Sequence, residues 1–316
     1  MPQLHIRMAT QEDAPAIVSL LNATFRTPID TATWEWYVYG NPLGNSQVYV
    51  SSDQDKPDVL VGVIAFAPIH LSLCGKTMLG DYAHHLALMP EYRDTLSYIA
   101  LLRHSLKAQA ARGIEVAIGP PNRTAYPIHK TLMKWRDFGF LDCLRKLSLS
   151  PQDHSCSRLD LFPSGFDEFY RCVASELNFC VEKNAEWMNW RFCQRPGSPY
   201  TVYACSASGS DDMTGYVILK RWQDPDGYRK AHILDLHAVS EDVLVQLMRA
   251  AESYAADCNE LNLWAVLQYP YRNTLEALGF IPGFRQPLIA RAYNGSTIAY
   301  PGGKCSLSYG DGDTLY

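Results

Sequence analysis

The chain has 316 residues, of which 47% are hydrophobic and 19% charged, and its formal net charge is −5 at pH 7. That is the composition of a globular protein with a sizeable core, long enough for two units of about 150 residues each. The acidic balance offers no general attraction for nucleic acid, and no apolar run reaches the roughly 18 residues needed to span a membrane.

In chain order, the pattern predicts a strand at 3–8, a helix at 11–24 and strands at 47–51, 58–73 and 76–89. The last two flank Cys74-Gly75, a hairpin signal. A helix is predicted over 95–111, where Leu96, Ile99, Leu102 and Leu106 recur at helical spacing and Gly113 closes the run. A strand at 114–119, a helix at 125–137 and a strand at 140–149 follow. The polar, turn-rich stretch "SPQDHSCSRLDLFPSG" marks a boundary, dividing the chain into 1–152 and 153–316. Beyond it come strands near 201–205, 215–223 and 229–239, a helix at 241–257, then strand, helix and strand to about 292. The tail "SLSYGDGDTLY" reads as a last strand and a loose terminus; it lacks the ligand spacing of a calcium loop.

The two parts repeat one another. "WYVYGNPLGNSQVYV" from Trp36 aligns without gaps with "WRFCQRPGSPYTVYA" from Trp190, so that Pro42 meets Pro196 and Val48 meets Val202. Each then has an apolar strand around a glycine, Gly62 and Gly215. Each ends in Y-P-x-x-x-T-L and Gly-Phe, from Tyr126 and from Tyr269. An ordered series of matches argues for a duplicated unit. The W-E-W and W-M-N-W segments are expected to pack in the core or between the units. Arg191, Arg195 and Arg221 would suit an acidic acceptor, although isolated arginines are usually solvated.

The nine cysteines are scattered without a C-x-x-C pair, so reduced thiols are expected rather than a zinc site or a disulfide framework; no metal is expected. "MPQLHIRMATQEDA" lacks a signal-peptide profile, which gives a cytoplasmic expectation.

The dense cluster of titratable groups is "GDYAHHLALMP". Strict alternation puts Asp81, Ala83, His85 and Ala87 on one face of a strand, and Tyr82, His84 and Leu86 on the other. One histidine then faces a cleft beside an acid. His85 with Asp81 is the expected proton acceptor, and His84 packs on the opposite face. An imidazole can take a proton near neutral pH.

"MPEYRDTLSYIALL" brings a strand end, Arg93 and a helix start together. Backbone N–H groups at such a start can meet an anion. Arg93 is a counter-charge, and Thr95 and Ser97 are small donors. Leu96 and Tyr98 are bulky there, and Asp94 as N-cap would fill the anion site with its own carboxylate. The corresponding stretch "HAVSEDVLVQL" has Ser240 as N-cap, with Glu241 and Asp242 repelling phosphate, and reads as a structural helix.

With "IRMATQEDAPAIVSLLNATF" and "GPPNRTAYPIHKTLMKWRDFGF", these segments resemble the GNAT superfamily of N-acyltransferases, specifically its tandem-domain members. The resemblance implies an α/β fold: two tandem domains, each a mixed, mostly antiparallel sheet flanked by helices and splayed between its fourth and fifth strands. It implies a pantetheine arm along Leu86, Ala87 and Leu88, and a pyrophosphate near Arg93, Asp94, Thr95, Leu96, Ser97 and Tyr98. It also implies a cofactor contact at Asn122 and a thiolate-protonating tyrosine at Tyr126, although the recurrence of Tyr126-Pro127 as Tyr269-Pro270 favours a structural role for that pair. The activity implied is transfer of an acyl group from acetyl-CoA or another acyl-CoA to the amine of a small molecule or peptide, by a monomer or homodimer and without a membrane partner. The second unit would be non-catalytic. Two alternatives stand beside it: aminoacyl transfer from aminoacyl-tRNA on the same tandem fold, which needs no glycine loop, and a non-catalytic binding module.

Overall fold

A computed structural model describes residues 4–25, 28–293 and 298–312. The first half runs β1 (Leu4–Met8), α1 (Ala14–Thr24), α2 (Thr31–Tyr39), β2 (Gln47–Asp53), β3 (Lys56–Leu73), β4 (Lys76–Leu88), α3 (Thr95–Ala111), β5 (Val116–Gly119), α4 (Ala125–Leu132) and β6 (Arg136–Lys146). The second runs β7 (Ser157–Leu159), α5 (Phe166–Ser175), β8 (Phe179–Val181), α6 (Ala185–Met188), β9 (Tyr200–Ser206), β10 (Met213–Gln223), β11 (Arg229–Ala238), α7 (Glu241–Tyr254), β12 (Glu260–Val266), α8 (Arg272–Ala277) and β13 (Ile281–Ala292).

Among the described residues the strands form a single sheet in the order β1-β2-β3-β4-β5-β13-β6-β12-β11-β10-β9-β7, with β8 pairing the far end of β3. The order is palindromic once β1 to β6 are matched with β7 and β9 to β13. In each half the fourth and fifth strands pair in parallel, β4 with β5 and β11 with β12, inside an otherwise antiparallel array. The last strand of each half crosses over: β13 pairs with β5, β6 pairs with β12, and β6 and β13 pair at the centre. Each half closes its sheet with a strand from the other. The sequence match of the two tryptophans is also a contact. The Trp36 and Trp190 ring centroids lie 5.2 Å apart, and each Nε1–H donates to the other's carbonyl, at 3.2 and 3.3 Å.

The helices bury opposite faces of the first half's sheet. Ile17, Leu21, Trp34 and Val38 of α1 and α2 pack against Val50 and Val63, while Ile99, Leu102 and Leu106 of α3 pack against Tyr49 and Phe66. Gly113, at φ 82°, ends α3 in the left-handed conformation that favours glycine. Three features differ from the sequence reading. The predicted helix at 125–137 stops at Leu132, because Lys134 turns back at φ 57° and β6 starts at Arg136. Helix α2, whose periodic signal is weak, and the strongly amphipathic α5, which buries Phe166, Phe169, Tyr170 and Val173 on one face, are additional. The expected last strand is only an isolated bridge at Cys305 and a 3-10 turn at Tyr309–Asp311; the end of that tail lies outside the described residues.

Candidate active site

β4 and β5 are joined by three residue pairs only, Gly80–Val116, Asp81–Ala117 and Tyr82–Ile118. β4 then continues to Leu88 while β5 ends at Gly119, so the strands part. Two cavities follow the opening. One of about 250 Å³ at its apex is lined by Ile64, Ala83, His84, His85, Gly119, Pro121, Trp135 and Ile289, among others. The second, of about 440 Å³, lies toward the start of α3 against Ala87, Leu88, Arg93 and Asp94. Phe25, Leu86, Tyr98, Asn122 and Ala125 line both, so the two form one groove.

The centre of β4 is a bulge. Its register against β3 shifts between the pairs Val63–Ala87 and Ala65–His84, and His85 takes φ 49°. The extra residue reverses the alternation. Ahead of it Ala83 packs toward α3, while beyond it Leu86 and Leu88 do so. The expected separation of the two histidines is therefore corrected: His84 and His85 lie on one side, ring centroids 4.7 Å apart, with their Nδ1 atoms in hydrogen-bond contact. Tyr37 stands edge-on to both, at 4.9 and 5.8 Å, and Trp34 to His85 at 5.3 Å. In a neutral pair one Nδ1–H donates to the other Nδ1, and the donor ring keeps a basic Nε2 lone pair. Burial holds His84 well below the usual imidazole range, assisted by His85 and Arg191.

The pairing of Asp81 with His85 is corrected too. Asp81 is fully buried and interacts electrostatically with Tyr49 and Tyr293 on the α3 face, and among the described residues its carboxylate oxygens have no hydrogen-bond partner. Burial raises its pKa to about 7, with Arg112 opposing. Arg191 is not solvated but buried. Its guanidinium donates to the Tyr200 hydroxyl (3.2 Å) and the Gly312 carbonyl (3.0 Å), and lies within 5.9 Å of the Trp36 and Tyr37 rings. It bridges the aromatic junction of the halves and the histidine pair.

Tyr126 is also displaced from its expected role. Its hydroxyl donates to Asp137 at 2.6 Å and accepts from Lys130 at 3.3 Å, outside both cavities. Tyr98, expected only as a phosphate-loop residue, lines the whole groove instead, with its hydroxyl 2.8 Å from His129 Nε2. Burial raises the Tyr98 phenol and lowers His129 to about 4, so the tyrosine is protonated and the histidine neutral near pH 7. The missed signal was Tyr98 and His129 both facing inward, on helices 31 residues apart in sequence.

At the mouth, Asp94 caps α3 with its own carboxylate. Oδ1 accepts from the N–H groups of Leu96 and Ser97, both at 2.9 Å, and Oδ2 accepts from the Ser97 hydroxyl at 2.6 Å. These bonds hold the Asp94 carboxyl below the usual range. Thr95 opens the helix. Arg93 donates from Nε to the Leu88 carbonyl at 2.9 Å and borders the outer cavity. Asn122 Oδ1 accepts from the N–H groups of Thr124 and Ala125, at 3.1 and 2.8 Å, which orders the start of α4 beside the groove.

The second half opens in the same place; side chains fill its inner end, and a cavity of about 460 Å³ lies outside them against Ala238, Ser240, Glu241, Pro270 and Tyr271. β11 pairs with β12 from Lys230 to Ile233 and runs on to Ala238. There the Tyr271 hydroxyl accepts from the Ala238 N–H (3.0 Å) and contacts its carbonyl (3.2 Å). Nearby, the buried Lys183 contacts Asp235 at 2.7 Å and Asp311 at 2.8 Å, and the Tyr216 hydroxyl donates to Asp235 at 2.7 Å. The start of α7 is capped by Ser240, whose Oγ accepts from Val243 N–H at 3.3 Å, with Glu241 and Asp242 in its first turn.

Residues 5–132 match the family model described as an acetyltransferase (GNAT) domain. Among solved structures, the chain is similar to a GCN5-related N-acetyltransferase from Anabaena variabilis (17% identity, TM-score 0.69, covering 92% of this chain and 73% of that one). It is also similar to a putative acetyltransferase from Pyrococcus horikoshii (12%, TM-score 0.64, 96% and 94%). The N-myristoyltransferase of Saccharomyces cerevisiae with bound myristoyl-CoA is a third (11%, TM-score 0.69, 95% and 86%). No curated protein matches the chain by sequence. These likenesses show the fold.

Proposed function

From the premise that the first half carries a GNAT acetyltransferase domain, we propose that the protein is an N-acyltransferase taking its acyl group from acyl-CoA bound in the first splay. The observation that carries this reading is the open groove between β4 and β5, with two histidines at the bulge along its wall. Pantetheine would run along Leu86, Ala87 and Leu88, and the thioester would reach the bulge. The amine acceptor would approach the histidine pair, whose unprotonated Nε2 would take its proton as nitrogen attacks the thioester carbon. Tyr98 would then protonate the departing thiolate, with His129 Nε2–H donating to the phenol oxygen as it becomes charged. The second half would build the junction and bind no donor.

Binding and single-turnover acyl transfer on His85→Ala, Tyr98→Phe and Tyr126→Phe test this. A loss of about 10²-fold in transfer for His85→Ala is expected, with a smaller loss for Tyr98→Phe and none for Tyr126→Phe. Turnover unchanged in the first two variants would refute the assigned roles. One observation favours a second reading. Asp94 occupies the N–H groups that would hold a pyrophosphate, which suits a donor that places none there, such as an aminoacyl-tRNA. Native mass spectrometry of freshly purified protein separates the readings by the mass of what is retained, CoA or RNA.

A further inference from the structure

We propose that the donor's acyl chain is longer than acetyl, roughly four to eight carbons, and is seated in the cavity at the apex of the first splay. The inference rests on the acyl-CoA reading and names the class of donor. The apex cavity measures about 250 Å³. A cavity of about 150 Å³ holds benzene, so this one takes on the order of ten heavy atoms. The thioester and the end of the cysteamine account for about four of them, and an acetyl group would leave much of the remainder empty.

The walls suit a hydrocarbon. Ile64, Ala83, Leu86, Trp135 and Ile289 contribute apolar surface. Beside the histidine pair, two of the polar side chains in the wall are engaged by neighbours, while Trp135 Nε1 and His129 Nδ1 have no hydrogen-bond partner among the described residues. The Gln286 amide donates to the carbonyls of Pro120 and Pro121 at 3.1 and 3.3 Å, and His129 is held by Tyr98.

Gly119 gives the cavity its depth. It is the last residue of β5, and its φ is outside the left-handed region, so the backbone there does not call for glycine. A Cβ at this position would lie 3.5 Å from the Ala83 carbonyl oxygen and 3.9 Å from the Ala83 Cβ, in the gap between the parting strands. What the glycine supplies is room. Its neighbour across the ladder is Ile289 of β13, so the exchanged strand from the second half closes the same space.

The test is calorimetric titration of the whole protein, without acceptor, using CoA and its acetyl, butyryl, hexanoyl, octanoyl and palmitoyl esters. Burial of a methylene is worth about fourfold in affinity at most, so a gain of about two- to fourfold per added carbon is expected up to six or eight carbons, with none beyond. Gly119→Val should cut the octanoyl-to-acetyl affinity ratio at least tenfold, and Gly119→Ala should cut it less. Should the valine variant not fold, the wild-type series and the alanine variant decide. Tightest binding by acetyl-CoA, or affinity independent of chain length while CoA itself binds, overturns this inference alone. If neither CoA nor any ester binds, the donor reading falls with it.

Discussion

The two splays have equivalent strands around them and a cavity at each mouth, but their inner ends differ. In the first half, β4 and β5 part around a groove bounded by apolar side chains and a histidine pair. In the second, β11 and β12 part around Tyr271, whose hydroxyl occupies the Ala238 backbone, and around the Lys183, Asp235 and Asp311 cluster. Each middle strand also buries an acid. Asp235 has a lysine and a tyrosine within hydrogen-bond distance, whereas the Asp81 carboxylate has no hydrogen-bond partner among the described residues. A duplicated scaffold offers two openings, and they differ in what lines them: the second ends in a cavity of about 460 Å³ bordered by Glu241 and Tyr271, without a histidine pair on its wall. Filling the inner end of the second ties the terminal turn at Tyr309–Asp311 to the second half, and that turn leads to Gly312, which receives Arg191.

The largest effect that would sharpen this contrast is on Lys183. Lys183→Met leaves Asp235 and Asp311 buried without their cation, and removing one partner of a buried pair typically costs about 3–5 kcal/mol. Chemical denaturation measures it. A cost below about 1 kcal/mol would mean the second splay is not held shut by charge, and the comparison would lose its basis.

Asp81 is next. Its folded pKa of about 7 lies above the ordinary 3.8, so the folded state holds its proton more tightly than the unfolded chain does. Stability should therefore be full below about pH 4, fall as pH rises through 7, and level off above it. Asp81→Asn should remove that fall and leave the protein on the order of 2 kcal/mol more stable than wild type at pH 8. The pH dependence of the denaturation midpoint tests this. A midpoint for Asp81→Asn that still drops between pH 4 and 7 by as much as wild type would assign the slope to another group.

Much of this architecture was legible and some of it was not, for physical reasons. The repeat announced itself through Trp36 and Trp190, which proved to touch. The caps at Asp94 and Ser240 were readable because capping is a local event of three or four residues. The faces of β4 were not, since a bulge inserts one residue without a sequence mark and moves every later side chain across the sheet. The exchange of β6 and β13 has no local signature either; long-range pairing is decided by the whole sheet. Likeness to a motif pointed to Tyr126 and its recurrence as Tyr269 pointed to structure, and the Tyr126 hydroxyl does bond Asp137 outside both cavities, whereas no motif marked Tyr98.

Tyr271→Phe removes the hydroxyl that contacts Ala238 N–H and carbonyl, leaving both without that partner. A loss of about 1–2 kcal/mol in stability is expected, with no CoA binding gained in the second half, because Glu241 and Asp242 remain at the start of α7. Titration showing a second CoA site in this variant would mean that the plug alone, not the charge, separates the two halves.

The smallest effect concerns the two helix caps and separates charge from geometry. Ser240→Ala removes a neutral cap and should cost about 1 kcal/mol of stability without changing donor affinity. Asp94→Ser keeps a side-chain acceptor for the N–H groups of Leu96 and Ser97, so the helix should lose only a few tenths of a kcal/mol. It removes the negative charge that stands where a pyrophosphate would sit, beside Arg93. With that charge gone, the helix start and the arginine can both act on an anion, and CoA should bind several-fold more tightly at low salt, an advantage that shrinks as ionic strength rises. Equal affinity in wild type and Asp94→Ser across salt concentrations would place the pyrophosphate elsewhere. It would then be the splay itself, rather than the start of α3, that distinguishes the first half from the second.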